Sequence, residues 1–246
     1  MIACITFDFD GTLVPTVSKP DDAWIDCELL ELLDKLNNLE LLQIAVVSGR
    51  SLDDLKMRIP IDGFTLVGSH GGEFLFSDGE SCFETIPEHL DLKIAGLIER
   101  FTNEMKSWEG CMLERKPLGL ALHYRNAPEQ TKASVISAFS SMAMWLLEGC
   151  DMQVIRGDEV VEVRPKSFNK GTAVIKLLKK TSDKMLHPVY LGNDHTDEDA
   201  FRVLCDRGTT VLVGPKKSGT LAQFCVCSPI WTRSFLKQCL ENWSVK

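Results

Sequence analysis

The 246-residue sequence has no apolar run long enough to span a bilayer, so no membrane partner is expected. Positive charge is also in short supply. Against 35 Asp and Glu stand only 27 Lys and Arg, a formal net charge of -8 at pH 7. That balance argues against nucleic acid as the main partner and means that an anionic small molecule must be drawn in by a local site. There is no internal repeat and no low-complexity tract. The nine cysteines form no even, closely spaced set: they are scattered from Cys4 to Cys239, as expected of reduced thiols in a cytoplasmic protein. Cys225 and Cys227 have no second close pair to complete a zinc site. The first residues enter a strand at once, so no targeting segment is expected. Hydrophobic content of 44% at this length is enough for one large domain, or for a core carrying an inserted module.

Residues 4–13 read Cys-Ile-Thr-Phe-Asp-Phe-Asp-Gly-Thr-Leu, an apolar strand running into Asp8, Asp10 and a Gly11 turn. Carboxylates buried at a strand end are costly unless paired or bound to a cation. An i, i+2 pair shares one face of a strand, so the two are expected to converge on one small space. Oxygen ligands of this kind suit Mg²⁺, and an ionised Asp is a competent nucleophile. An isolated D-x-D is more often a plain polar turn. The Gly-Thr-Leu continuation and matching segments downstream favour the functional reading.

Two more apolar runs end in polar residues: Leu42–Val47 before Ser48-Gly49-Arg50, and Pro188–Leu191 before Gly192-Asn193-Asp194. Between the first two strands, Asp26–Leu39 carries Leu29, Leu30, Leu32, Leu33 and Leu36 at helical spacing, and Ser51–Met57 reads as a capped helix start. Strand–helix–strand order predicts an α/β fold with a doubly wound parallel sheet. The active site of such a sheet lies beyond the C-terminal strand ends, where all three polar clusters fall. From 84 to 164 the pattern changes. It predicts a helix over Leu90–Met105, an alternating strand over Leu113–Tyr124, a helix over Gln130–Leu147, and strands at Gln153–Ile155 and Val160–Val163 around a Gly157-Asp158 turn. This α+β block is expected to be a cap domain inserted into a core of residues 1–83 and 165–246.

Asp8-Phe-Asp-Gly-Thr-Leu, Ser48-Gly-Arg, Lys170 and Gly192-Asn-Asp-His-Thr-Asp-Glu-Asp resemble, in order, the four motifs of the haloacid dehalogenase-like phosphatases. Further segments narrow the resemblance to the trehalose-6-phosphate phosphatases, over nearly the whole chain. They are Gly68-Ser-His-Gly-Gly-Glu, Leu113-Glu-Arg-Lys, Leu122-His-Tyr-Arg-Asn-Ala-Pro, Val161-Glu-Val-Arg-Pro with Asn169-Lys-Gly, and Thr196-Asp-Glu-Asp-Ala-Phe.

The resemblance implies catalysis by Asp8, Asp10, Ser48 and Lys170. Asp8 would attack phosphorus to give an aspartyl-phosphate. Asp10 would protonate the leaving sugar oxygen, then deprotonate the water that clears the intermediate. Two unit charges about 4 Å apart repel by roughly 4 kcal/mol at an effective dielectric near 20, a cost that Mg²⁺ and Lys170 would offset. Ser48 would hold a phosphoryl oxygen, helped by N–H groups at the following helix start. Mg²⁺ is the implied cofactor, with Asp8, Asp10, Asn193 and Asp194 as expected ligands; the choice among Asn193, Asp194 and Asp197 is left open. Substrate contacts are expected from Arg50, His70, Glu114, Lys116, His123, Arg125 and Glu162. Those on the cap would govern specificity through sugar hydroxyls. Arg50 could instead pair with an acid, and His70 could only orient the passage towards the cap.

One departure is plain. The family's fourth motif usually opens Gly-Asp-Asp, whereas this chain has Gly192-Asn193-Asp194. Asn193 can still offer an amide oxygen, but with one formal charge fewer, so weaker metal affinity is expected. The implied reaction converts a sugar-phosphate substrate, trehalose 6-phosphate, to trehalose and phosphate, with a trehalose-phosphate synthase as a candidate partner. Alternatives are a sugar-phosphate phosphatase of sucrose-phosphate or mannosyl-phosphoglycerate type, and a weakly active trehalose-phosphate-binding sensor, which only Asn193 supports.

Overall fold

The computed structural model describes residues 2–157, 159–180 and 186–243. In chain order the strands are β1 (Ile2–Phe7), β2 (Leu42–Val47), β3 (Thr65–Gly68), β4 (Glu73–Leu75), β5 (Ser81–Phe83), β6 (Met112–Lys116), β7 (Gly119–His123), β8 (Met152–Arg156), β9 (Val160–Pro165), β10 (Leu186–Gly192), β11 (Thr209–Val213) and β12 (Phe224–Val226). The helices are α1 (Cys27–Asn37), α2 (Leu52–Arg58), α3 (Glu88–Glu104), α4 (Glu129–Leu146), α5 (Lys170–Lys180), α6 (Glu198–Leu204) and α7 (Pro229–Trp243). Contacts group them into two compact units. One holds the residues up to Phe83 and from Asn169 on, the other Glu84–Phe168.

The first unit is built on a sheet of order β12-β11-β10-β1-β2-β3-β4-β5. It is parallel from β12 to β3 and antiparallel over β3, β4 and β5. Side chains alternate across it. Ile5, Phe7, Ile44, Val46 and Leu191 join Leu29, Leu33 and Leu36 of α1 and Leu236 of α7 in one layer. On the opposite face Ala45 and Val47 meet Ala173 and Leu177 of α5, while Tyr190 and Leu212 pack with Ala200 and Phe201 of α6. Helices on both faces explain why β1 and β2 read as continuous apolar runs. Phe7 is fully buried, so truncating it to Ala would cost about 3–5 kcal/mol.

Helix starts follow local capping chemistry. Asp26 accepts from Leu29 N at 2.9 Å ahead of α1, and Ser51 accepts from Asp54 N at 3.2 Å ahead of α2. Asn169 Oδ1 accepts from Thr172 N at 2.9 Å, while Asn169 N donates to Thr172 Oγ1 at 3.2 Å. That reciprocal pair fixes Lys170 as the first residue of α5.

The parallel order sets the stage for chemistry. Strand β1 lies between β10 and β2, the point where successive strands turn to opposite sides of the sheet. Ligands bind at such a point, beyond the carboxyl ends of the strands. Asp8, Ser48, Ser69 and Asn193 each directly follow one of four neighbouring strands, β1, β2, β3 and β10.

The second unit is an antiparallel sheet of order β6-β7-β9-β8. Leu120, Leu122, Val161 and Val163 pack against Leu97 and Phe101 of α3 and Phe139 of α4, with the Phe101 and Phe139 rings stacked at 4.5 Å. The strand expected over Leu113–Tyr124 is two strands, β6 and β7, joined by a tight turn at Pro117 and Leu118. Pro117 has no N–H for a ladder, and a Cβ on Gly119 would stand 1.9 Å from Val163 O. The turn expected at Gly157-Asp158 falls partly outside the described residues, at position 158; Gly157 N donates to Val160 O at 2.8 Å. The unit runs on past 164 to Phe168, and Lys166 N donates to Asp151 O at 3.2 Å.

All nine cysteines are free thiols. Burial pushes Cys4 and Cys239 up to about 11. No helix among the described residues is long and apolar enough to cross a membrane.

Candidate active site

Lys170 is 2% exposed and donates from Nζ to Asp8 Oδ1 at 2.8 Å and to Asp197 Oδ1 at 2.7 Å. Burial works against its charge, but Asp197 and Asp8 outweigh that and hold the ammonium above its ordinary range. Asp8 follows β1 and is 5% exposed. Burial drives its carboxyl well above the usual range; Lys170 opposes this, and Asp197 and Asp194 add to it. Asp197 is fully buried and saturated with donors. Oδ1 takes Lys170 and the Tyr190 hydroxyl, at 2.7 and 2.8 Å, and Oδ2 takes the N–H groups of Asn193 and Asp194, each at 2.9 Å. With four donors on two oxygens, Asp197 is closed to a cation. It anchors Lys170 and the turn after β10 instead.

The second carboxylate of the opening motif has different company. Arg50 grips Asp10 with two bonds, Nε to Oδ2 and Nη2 to Oδ1, each 2.7 Å. The same guanidinium donates to Asp54 Oδ2 and Pro20 O, both at 2.7 Å, and Asp54 in turn accepts from Arg58 Nε at 3.0 Å. The i, i+2 rule does not carry to Asp10, because β1 ends at Phe7 and Gly11 N turns back to Val14 O at 2.7 Å. What Asp10 turns towards Asp8 is its main-chain carbonyl. The inner end of the Asn193 amide stands 2.9 Å from both Asp8 Oδ2 and Asp10 O, where its nitrogen, turned inward, would donate to both; Thr12 Oγ1 donates to the amide oxygen at 3.4 Å. Gly11, at φ +81, makes room for it: a Cβ there would stand 2.7 Å from Asn193 Cγ.

Asp194 Oδ1 accepts from Thr196 N at 2.7 Å and Thr196 Oγ1 at 2.6 Å, capping the short turn His195–Asp197. Burial pushes its carboxyl up, but Lys170 and the Thr196 bonds win and hold it far below the usual range.

Ser48 is 2% exposed, and its Oγ accepts from Arg50 N at 3.2 Å. The turn after β3 folds over it. Ser69 N donates to Arg50 O at 2.7 Å and His70 N to Ser48 O at 2.9 Å. Ser69 and His70 hold φ of 48° and 55°, a left-handed conformation that costs non-glycine residues energy and clusters at functional sites. Gly49 lets the ring approach, since a Cβ there would meet His70 Nε2 at 2.5 Å.

In the second unit, four predicted residues gather on one sheet face. His123 Nε2 and Glu114 Oε2 are 2.7 Å apart, and Lys116 Nζ lies 3.1 Å from Glu162 Oε1 and 3.8 Å from Glu114 Oε2. Register explains this: Glu114 and Glu162 flank Ala121 on either side of β7, with Gly119 opposite Lys116. The small residues leave the long polar ones to meet above them. Burial works against the Glu114 charge, but the His123 contact and Lys116 outweigh it and hold the carboxyl below its usual range. Arg125 is half-buried, two residues past β7.

The donor set fits a hard cation. Asp8 Oδ2 and Asp10 O converge on one point, the inner end of the Asn193 amide, which can present its oxygen there. No cluster of three or more His, Cys, Asp and Glu side chains suited to a metal occurs among the described residues; the gathered donors are a carboxylate, a carbonyl and an amide.

Two roles were not legible in the sequence: Tyr190 as a donor to Asp197, and Asp197 as the anchor of Lys170. The available signal was a single hydroxyl-bearing ring in the apolar run before Gly192, seven residues ahead of an acid.

A family model described as Trehalose-phosphatase matches residues 6–226. The chain is 35% identical over 243 residues to Trehalose-phosphate phosphatase of Mycobacterium tuberculosis, covering 94% of this chain and 59% of that one. It is 35% identical over 238 residues to Bifunctional trehalose-6-phosphate synthase/phosphatase of Thermoproteus tenax, covering 95% of this chain and 31% of that one. It therefore spans less than two thirds of the length of these relatives. The solved C-terminal domain of Trehalose-6-phosphate phosphatase from C. albicans matches it with a TM-score of 0.84 at 25% identity, over 98% of this chain and 92% of that one.

Proposed function

Because this chain belongs to the trehalose-phosphatase family, we propose that it hydrolyses trehalose 6-phosphate to trehalose and phosphate through an aspartyl-phosphate on Asp8, with Mg²⁺ as cofactor. The observation that carries this reading is the buried pair of Lys170 Nζ and Asp8 Oδ1 at 2.8 Å, at the sheet's switch point. A nucleophilic carboxylate must meet a phosphate of like charge. Lys170 lies where it can neutralise both, and Asp197 keeps it from turning away.

The steps divide among this chain's own residues. Asp8 attacks phosphorus, and the bond to the sugar oxygen breaks. Asp10 gives that oxygen its proton and later takes one from the water that attacks phosphorus and releases Asp8. Arg50 sets where the Asp10 carboxyl points. Ser48 offers its hydroxyl to a phosphoryl oxygen. Asp8 Oδ2, the Asp10 carbonyl and the Asn193 amide oxygen would hold Mg²⁺, which when bound draws charge from the phosphoryl group.

Sugar recognition is assigned to Glu114, Lys116, His123 and Glu162 of the second unit, with Arg125. A site of this kind rejects analogues that leave its polar groups unpaired. The joined name of the Thermoproteus tenax relative supports a trehalose-phosphate synthase as the protein that supplies the substrate. The test is phosphate release from trehalose 6-phosphate, sucrose 6-phosphate and glucose 6-phosphate across a Mg²⁺ titration. Strong preference for the first is expected; equal rates on all three would remove the substrate assignment while keeping the chemistry.

A further inference from the structure

Asn193 is held by its backbone at both ends. Its N–H donates to Asp197 Oδ2 at 2.9 Å, and its carbonyl accepts from Lys217 Nζ at 2.6 Å. Gly11 closes against its side chain. Within that frame the terminal amide is the part left to turn, and its inner end stands 2.9 Å from two acceptors, Asp8 Oδ2 and the Asp10 carbonyl; a nitrogen there donates to both, whereas an oxygen there needs a cation between them. A carboxylate at 193 could not make this bridge. It has no proton to give, and it would stand beside Asp8 with Asp194 next to it in sequence.

We propose that the Asn193 amide is a built-in stand-in for the cation. It bridges the two oxygens with its nitrogen when no metal is bound, and it must turn its oxygen inward for Mg²⁺ to bind. An amide serves both states, and its two ends are nearly the same shape. The chain thus gains a stable metal-free site and gives up metal affinity. This rests on the assignment of Mg²⁺ to these oxygens under the proposed function.

The test uses thermal melts in EDTA and substrate-free Mg²⁺ titration by calorimetry, on the wild type, Asn193→Asp and Asn193→Ala. In EDTA both variants should melt below the wild type, Asn193→Asp by roughly 5 °C or more. Mg²⁺ should raise the Asn193→Asp melt more than the wild-type melt, and Asn193→Asp should bind Mg²⁺ roughly tenfold more tightly or better, as an added ligand charge dictates. Asn193→Ala should gain little from Mg²⁺. If Asn193→Asp does not fold without the cation, the Asn193→Ala melt decides. Either variant melting at or above the wild type in EDTA overturns the proposal. Because substrate is absent throughout, failure to hydrolyse trehalose 6-phosphate would remove the proposed function without touching this result. An active wild type with an unchanged Asn193→Ala melt would remove this proposal alone.

Discussion

Lys170 Nζ sits 2.8 Å from Asp8 Oδ1 across 162 residues of sequence, with both side chains almost fully buried. A buried cation between two buried carboxylates makes the structure depend on Lys170. Lys170→Met keeps the length and apolar stem but leaves Asp8 and Asp197 without their shared partner. Loss of the shared cation leaves buried charge uncompensated and costs about 3–5 kcal/mol. Urea unfolding should register a loss of that size, and phosphate release should vanish.

Asp8 and Asp194 should respond to pH in opposite senses. Burial, reinforced by Asp197 and Asp194 and opposed by Lys170, raises the Asp8 carboxyl. Such a group favours the fold below its unfolded value, near 3.9, and that contribution is lost as pH rises through the folded value. Metal-free Asp8→Asn should therefore be more stable than the wild type at pH 7, with the gap closing as pH falls towards roughly 4. Asp194 is held low despite burial, by Lys170 and Thr196, so its contribution is present above its unfolded value and lost on acidification through the folded one. Asp194→Asn should be less stable at pH 7, the gap narrowing below about pH 4. Denaturant midpoints across pH check both signs.

Arg50 spans Asp10, Asp54 and the Pro20 carbonyl with four bonds of 2.7 Å. Lys cannot reproduce that fork. Arg50→Lys should keep KM within a few-fold of the wild type and lower kcat by roughly 10- to 100-fold, since misplaced acid–base groups cost factors of that order. A rise confined to KM would instead make Arg50 a substrate ligand.

For the second unit, Glu114→Ala and Lys116→Ala should lower kcat/KM for trehalose 6-phosphate by roughly 100-fold, as expected when polar recognition groups lose their partners. Turnover of a small aryl phosphate, which has no sugar hydroxyls, should stay near wild type. Parallel losses on both substrates would assign the cluster to folding.

The doubly wound parallel arrangement was legible because period and punctuation act over short distances. Apolar runs ending in Asp8, Ser48 and Asn193 sufficed for three adjacent strand ends, and the leucine stripe of Asp26–Leu39 placed α1. Pro117 and Gly119 marked a turn within the run read as one strand. The partners of Asp10, Lys170 and Asp197 were not legible, because each lies across the fold: 40 residues separate Asp10 from Arg50 and 27 separate Lys170 from Asp197. Strand alternation could not supply the Asp10 partner either, since the backbone leaves the strand before reaching it.

The most direct measurement of the central claim is a rapid acid quench of the enzyme turning over trehalose 6-phosphate labelled in its phosphate. Label should remain covalently bound to the wild-type protein, on the peptide that contains Asp8, and be absent from Asp8→Asn, which should release no phosphate. Sustained phosphate release with no label on the protein, or an active Asp8→Asn variant, would contradict the account.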